Sequence, residues 1–534
     1  MARILLLTLS SRTHRTCEEN LGVQYLSSAL KNNNFDVIVL NSWIDNLSIN
    51  DIFSYIKENS FLFVGISTSY MININDCKEL IRLIKSHDKN IRVVCGGFGP
   101  TFSSSEYINF GADIVCIGEG EETIVDIANY YEHKDTQISK VKGIVFAKNT
   151  ESMCTEKREL IKNLDTIPFP TRDTLDFLEK LKSPVSISTS RGCTGKCDFC
   201  SVASFFSLSK GKRWRGRSVN NIVDELELLN KNGVFYIKVV DDSFIDGNRN
   251  EAWCEEFRDE IIKRRIKLKM KGQIRADKIS EESMRYLKEA GFYSFSCGVE
   301  NGSETALRRM NKSSNIDQIE DALTVMRKYN YIFQMNYILF DNKTTYQELK
   351  ENYTFFKRHL WTVTKGVFTE KYPLEGTLYT QILSESGELD DGFSVNRSLS
   401  FTHTYDDVRV SSAYTALKRW HTAHTYIYDM TIDPIVAPRA IDNTSIFDLY
   451  SEMMIVKEID INFFEKVLSL TDMRISIKEI ENFTMQEIAN QKSAFENVFS
   501  NVSEIYKRND IVYDAIENPF FAKVDKNPKT EIQA

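Results

Sequence analysis

Short apolar runs alternate with stretches of helical period along most of this chain, and that alternation admits few folds. Ile4–Leu7, Asp36–Leu40, Leu62–Ser67, Ile91–Cys95 and Asp113–Ile117 read as strands. Between them Leu21, Tyr25, Leu26 and Leu30, and later Leu80, Ile81, Leu83 and Ile84, recur at the spacing of one helix face. Strand and helix in turn predict a parallel sheet covered by helices on both faces. Ligands of such sheets meet the carboxyl ends of the strands. Three small or glycine-rich ends fall there: Ser67-Thr68-Ser69, Gly96-Gly97 and Gly118-Glu119-Gly120. Glycine lets a backbone approach a flat or bulky ligand closely, although singly such a residue most often marks a turn.

Glu151–Pro170 is polar and ends in Ile167-Pro168-Phe169-Pro170, where two prolines interrupt helix and ladder alike, so it reads as a linker. A second alternating array follows. Val185, Ile187 and Thr189 lie in a β-like run, and Phe235–Val240, Lys269–Ile274, Ser294–Gly298 and Met335–Phe340 are further strands. Ser218 is an N-cap for the helix bearing Ile222, Val223, Leu226 and Leu229, and Glu282–Ala290 forms another helix. About six strand–helix units fit, a partial barrel rather than the full eight. Beyond residue 390 the pattern is helical, over Tyr414–Tyr428, Ile446–Ile459, Asn462–Leu470 and Met485–Ile505. The expected organisation is an α/β unit over 1–150, a linker over 151–170, a partial barrel over 171–390 and a mostly helical region over 391–534.

The second array opens on Cys193-Thr194-Gly195-Lys196-Cys197-Asp198-Phe199-Cys200. Three thiolates in one short loop can hold three corners of a cubane iron–sulfur cluster. No fourth cysteine lies nearby in sequence, so one iron would stay open to a further ligand. A structural zinc site is the competing reading. It ordinarily takes two Cys-x-x-Cys pairs, or one pair with two histidines, and the nearest histidines in sequence are His133 and His359. Asp241-Asp242 ends the second strand of this array and could bind a cation or substrate, or cap the next helix. Arg275 could anchor a carboxylate with its planar fork or form a surface ion pair.

The cysteine spacing, with an aromatic before the third Cys, resembles that of the radical S-adenosylmethionine (SAM) superfamily. The resemblance implies a [4Fe-4S] cluster on Cys193, Cys197 and Cys200 whose open iron chelates SAM. It implies SAM contacts from Phe199, from Asp242 toward the methionine amine, from Arg275, and from Glu300 in Gly298-Val299-Glu300-Asn301-Gly302-Ser303 toward the ribose. The turn Asp341–Thr345 lacks the glycine-rich form of relatives. Lys371-Tyr372-Pro373-Leu374-Glu375-Gly376-Thr377 resembles the family's closing Pro-Gly-Thr turn with an insertion. Residues 1–150, with Asn20-Leu21-Gly22 and Gly118-Glu119-Gly120-Glu121, resemble the Rossmann-like cobalamin-binding domain placed ahead of many radical SAM domains. Contacts are implied from Thr16, Gly22, Ser67, Thr68, Ser69, Gly96, Gly97, Phe98, Gly118, Glu119 and Gly120. The Asp-x-His-x-x-Gly motif that ligates cobalt is absent. His14, in Arg12–Thr16, reads as a solvated loop residue.

The implied activity is methylation of an unactivated carbon in a small molecule or peptide, with a flavodoxin- or ferredoxin-type electron donor. Relatives that cyclise or rearrange rings offer a second enzymatic reading, and a corrinoid sensor or carrier with a structural cluster is a non-enzymatic one. A net charge of −8 argues against a general nucleic-acid binder. No apolar run approaches the roughly 20 residues of a membrane span. Ten cysteines in 534 residues do not form a secreted disulfide framework, so a reduced, cytoplasmic setting is expected. His421 and His424, three apart on one helical stretch, read as an ordinary packing face rather than a metal site.

Overall fold

A computed structural model describes residues 3–9, 19–42, 47–68, 74–133, 137–148, 151–180, 183–389, 401–436 and 441–509. In the first unit β1 (Arg3–Thr8), β2 (Asp36–Asn41), β3 (Val64–Ser67), β4 (Val93–Gly96) and β5 (Ile114–Cys116) pair in parallel in the order β2-β1-β3-β4-β5. β1 is buried on both faces, with Leu5 and Leu7 in one apolar cluster and Ile4 and Leu6 in the other. This is why its sequence reads as an unbroken apolar run. The sheet then continues antiparallel through β6 (Ile144–Lys148) and β7 (Glu151–Cys154). Four residues of the stretch read as linker therefore form an exposed edge strand, whose paired backbone the polar composition does not reveal.

The second unit has β8 (Val185–Ile187), β9 (Ser190–Arg191), β10 (Arg215–Gly216), β11 (Tyr236–Val239), β12 (Lys269–Arg275), β13 (Phe292–Glu300) and β14 (Ile332–Tyr337). The main sheet runs β8-β11-β12-β13-β14, all parallel, and β9 with β10 forms a separate antiparallel pair. Parallel bridges Gln334–Val363 and Phe340–Glu370 add a sixth edge, which agrees with six strand–helix units. Ser218 does cap its helix, accepting from the Asn221 amide. The turn 341–345 is engaged in capping: Thr345 and Glu348 form a reciprocal box, and Asp341 accepts from the Lys343 amide.

Three long helices follow, Val408–Val436, Asn443–Asp472 and Ile477–Arg508. The two helices expected over 446–470 are one. Asp460, in the gap between them, has a buried carboxylate that accepts from Trp420 Nε1 (2.7 Å) and the Tyr428 hydroxyl (3.0 Å) of the neighbouring helix. Among the described residues no helix is long and apolar enough to cross a membrane.

Two buried ionic networks join the first unit to the barrel. Glu19 accepts from Arg172 Nη1 (2.6 Å) and the Ser186 amide (2.9 Å), while Arg172 also reaches Glu225 (2.7 Å). Glu119 accepts from Arg191 (3.0 Å), Arg215 (2.8 Å) and the Ile161 amide (2.9 Å). Phe98 stacks on Phe205 at 4.4 Å within a small apolar cluster holding Phe206 and Leu160.

Candidate functional site

The carboxyl ends of the first sheet open onto a cleft of about 330 Å³. Gly22, Ser67, the Gly96-Gly97-Phe98 turn and the Gly118-Glu119-Gly120 turn line it from the first unit. The opposite side comes from the barrel, through Ser188, Arg191, Phe205, Phe206 and Val240. Gly97 has φ of +106°, and a Cβ there would stand 2.3 Å from the Thr68 carbonyl oxygen. Only glycine lets this turn close so tightly over the end of β3.

Thr68 falls outside the cleft lining, because its hydroxyl pairs with Tyr107 Oη at 3.0 Å in the core. Glu119 borders the cleft, but both of its oxygens are engaged by arginines, so it fastens the turn rather than presenting a free carboxylate. Glu121, also in the lining, pairs through Oε1 with Arg191, and its buried Oε2 has no hydrogen-bond partner among the described residues. A buried acceptor facing a cleft suits a ligand rich in N–H donors, as the amide arms of a corrinoid are. Thr16, Ser69 and His14 lie outside the described residues.

The cysteine loop starts where this cleft ends: Arg191 lines the cleft and stands two residues before Cys193. All three cysteines are half-buried and free. Cys193 Sγ accepts from the Gly195 amide (3.3 Å) and faces Arg275 Nη1 at 3.7 Å. Burial pushes the Cys197 thiol up to about 11, with Lys312 pulling the other way. Among the described residues no three His, Cys, Asp or Glu side chains converge on one point as a single metal ion requires. A cubane needs no common focus, since each cysteine meets its own iron, and the donor set fits one.

The four other residues expected around this loop are all beside it or within it. Asp242 Oδ2 accepts from the Gly192 amide at 2.9 Å, and burial raises its carboxyl to about 6. The acidic pair is split by the fold. Asp241 turns inward, accepting from the Thr189 amide (2.6 Å) and Ser190 Oγ (2.6 Å), with Arg249 at 3.4 Å. Glu300 sits at a register shift in β13 with φ of +70°, a region a residue with a Cβ rarely occupies. Its carboxylate accepts from the buried Lys312 at 3.1 Å. Arg275 does anchor a carboxylate with its fork, that of Asp277 (2.9 and 2.7 Å), and its remaining nitrogen reaches Thr194 Oγ1 at 2.9 Å, so it braces the loop. Phe199 lies 5.9 Å from the Lys371 ammonium, which pairs with Asp198 at 2.7 Å. Through Lys371 and the Tyr379 amide, which donates to the Asp198 carbonyl (2.9 Å), the closing turn is fixed to the cysteine loop. Sequence reasoning passed over Lys312, Lys371 and Arg191. Arg191 stood in plain view before the first cysteine and Lys312 only 12 residues after Glu300, whereas the partner of Lys371 is 173 residues away.

His421 stacks on Tyr428 at 5.1 Å and His424 on Phe495 at 3.7 Å, a packing face as expected. Burial pushes the His424 imidazole from 6.5 down to about 3. It stays neutral when folded, while the unfolded chain takes a proton below 6.5, so stability falls as pH drops through that window. At about 1.4 kcal/mol per pH unit, His424 removes about 2 kcal/mol between pH 7 and pH 5. His424→Gln is expected to flatten the pH dependence of the urea midpoint across that interval. An unchanged slope would refute the assignment.

The B12 binding domain model matches residues 11–128 and the Radical SAM superfamily model residues 187–355, together just over half of the chain. An uncharacterised methyltransferase of Pyrococcus horikoshii is 28% identical over 364 residues, which cover 67% of this chain and 76% of that protein. The anaerobic magnesium-protoporphyrin IX monomethyl ester cyclase of Cereibacter sphaeroides is 24% identical over 343 residues, 62% of this chain and 55% of the cyclase, so the chain matches little more than half of that relative. The solved structure of the cobalamin-dependent S-adenosylmethionine radical enzyme OxsB, with aqua-cobalamin and S-adenosylmethionine bound, superposes with a TM-score of 0.77 at 19% identity. The superposition covers 98% of this chain and 83% of OxsB. With a B12-binding domain ahead of a radical SAM domain, and one overall fold shared with OxsB, the chain belongs to the cobalamin-dependent radical SAM enzymes.

Proposed function

We propose that this enzyme methylates an unactivated carbon of a small molecule or peptide in the cytoplasm. One observation carries the reading: Arg191, which lines the B12-domain cleft and pairs with Glu119 of its glycine turn, stands two residues before the first cysteine of the loop. Cys193, Cys197 and Cys200 would hold the [4Fe-4S] cluster, and Gly22, Ser67 and the two glycine turns would cradle cobalamin. When bound, the cluster, SAM and cobalamin supply hydrogen abstraction and a transferable methyl group. The chain's own residues bind and orient. Asp242 offers a carboxylate to the methionine amine of SAM, and Glu300 offers one to the ribose, its orientation set by Lys312. Phe98, Phe205 and Phe206 close the side of the junction against water.

The similarity to a cyclase keeps a second reading in view, ring closure by the same cofactors without methyl transfer. Anaerobically reconstituted protein given SAM with a deuterated methyl group, reductant and a candidate acceptor is expected to release deoxyadenosine and a deuterium-labelled product. Deoxyadenosine with unlabelled, cyclised product would favour the second reading. No deoxyadenosine from cluster-loaded protein with any acceptor or reductant would overturn both.

A further inference from the structure

Side chains alternate across the main sheet of the barrel. Ile237, Val239, Met270, Ile274, Cys297 and Met335 belong to the apolar cluster packed under the helices. Lys238, Lys271, Gln273, Ser296, Gln334 and Asn336 therefore face the lumen. Lys238 and Lys271 are register neighbours on β11 and β12. Paired strands lie about 4.8 Å apart, so the two half-buried lysines leave the sheet side by side. Like charges so placed repel, and an anion lodged between them turns that repulsion into attraction. Glu300, held by Lys312 at the end of β13, is the only acidic residue in the five strands. Gln334 adds a further donor. Its Oε1 already accepts from Lys271 Nζ (3.1 Å) and Ser296 Oγ (2.6 Å), so its amide N–H groups are what it has left to offer. Gln273 and Asn336, each two residues further along its strand, are exposed, so solvent and a ligand can reach this level of the lumen. Val240, two residues after Lys238 on the same face, lines the B12-domain cleft. Arg275, four residues after Lys271 on the same face, stands 3.7 Å from Cys193 Sγ. At about 3.3 Å per residue, the lysine pair lies about 7 Å below the cleft and about 13 Å below the cysteine loop.

We propose that the substrate carries an anionic group, a phosphate ester or a carboxylate, and that Lys238, Lys271 and the Gln334 amide bind it inside the barrel. Ammonium groups are compact charges that serve either anion, without the planar match an arginine fork requires. A molecule held at one end by this pair extends toward the junction of cleft and cysteine loop with its other end. This anchoring rests on the methylation reading above, to which it adds the class of substrate.

Binding is read as NMR line broadening of inorganic phosphate (phosphorus) and of labelled acetate (carbon). Each is titrated with cluster- and cobalamin-loaded protein in the absence of SAM, whose own carboxylate would compete. Wild type is expected to bind at least one of the two. Lys238→Gln and Lys271→Gln are each expected to weaken that binding about 10- to 100-fold, the scale of one hydrogen bond to a charged group. Lys271→Arg keeps the charge and should keep most of the binding. Lys267→Gln, just before β12 at the far end of the barrel, should bind as wild type does. Tighter binding of phosphate than of acetate would assign a phosphate ester, and the reverse a carboxylate. Equal binding by wild type and both glutamine variants, or none by wild type, would overturn the anion site. Binding that the glutamine variants lose, in a wild type that forms no deoxyadenosine from SAM and reductant, would keep the anion site and refute the methylation reading instead.

Discussion

Replacing Cys197 with alanine is expected to abolish deoxyadenosine formation and to leave less than one cluster's iron on the protein, while the fold survives. The loop offers three sulfur donors, and the variant leaves two. Changing groups that merely support a metal ligand already costs about 10- to 100-fold, so losing a ligand should exceed about 100-fold. Stability should change little, because Cys197 is half-buried at the edge of a loop rather than in either core. Cys154→Ser supplies the contrast. Cys154 is exposed on the edge strand β7, remote in chain from the loop, and its removal should leave iron content and deoxyadenosine unchanged. Retention of a full cluster by Cys197→Ala would overturn the assignment.

How much of this was legible in the sequence depended on range. The βα alternation and the cysteine loop are local patterns, and both were readable: a strand buried on two faces has to be apolar throughout, and three ligands of one cluster on one loop have to be close in chain. The glycine turns were readable for the same reason, since the φ of Gly97 is a property of one residue. Side-chain assignments that depended on distant partners were less secure. Nothing near Arg275 in sequence indicates that its remaining nitrogen faces Cys193, 82 residues earlier. Thr68 follows a strand end as a ligand-contacting residue would, yet Tyr107 draws its hydroxyl inward. The gap left between the helices expected over Ile446–Ile459 and Asn462–Leu470 is helical too, because Trp420 and Tyr428 supply the hydrogen bonds that make the buried Asp460 carboxylate tolerable in mid-helix. The edge strand Glu151–Cys154 was missed because antiparallel pairing at a solvated edge leaves little compositional mark.

Glu119→Gln is the second large effect, and it tests whether the two cofactor sites are held together by charge. The Glu119 side chain is 6% exposed and Arg215 is 4% exposed, and Arg191 completes the cluster at 16%. Glutamine keeps the shape but removes the charge and points an N–H toward a guanidinium, leaving Arg215 buried without its carboxylate. Breaking a buried pair in this way costs about 3–5 kcal/mol. The surface pair Arg3–Asp36, about half-exposed on both sides, should lose no more than about 1 kcal/mol on Arg3→Ala. Because Glu119 belongs to the turn that lines the cleft and Arg191 leads into Cys193, the loss should also loosen the junction. Cobalamin retention through gel filtration is therefore expected to fall at least about tenfold, while Arg3→Ala retains it fully. If the effect comes from an unpaired buried charge, Glu119→Gln/Arg215→Met should recover much of the stability, since methionine removes the buried guanidinium that the first change leaves without its carboxylate. A double variant no more stable than Glu119→Gln alone would show instead that shape, not charge, holds the turn against the barrel.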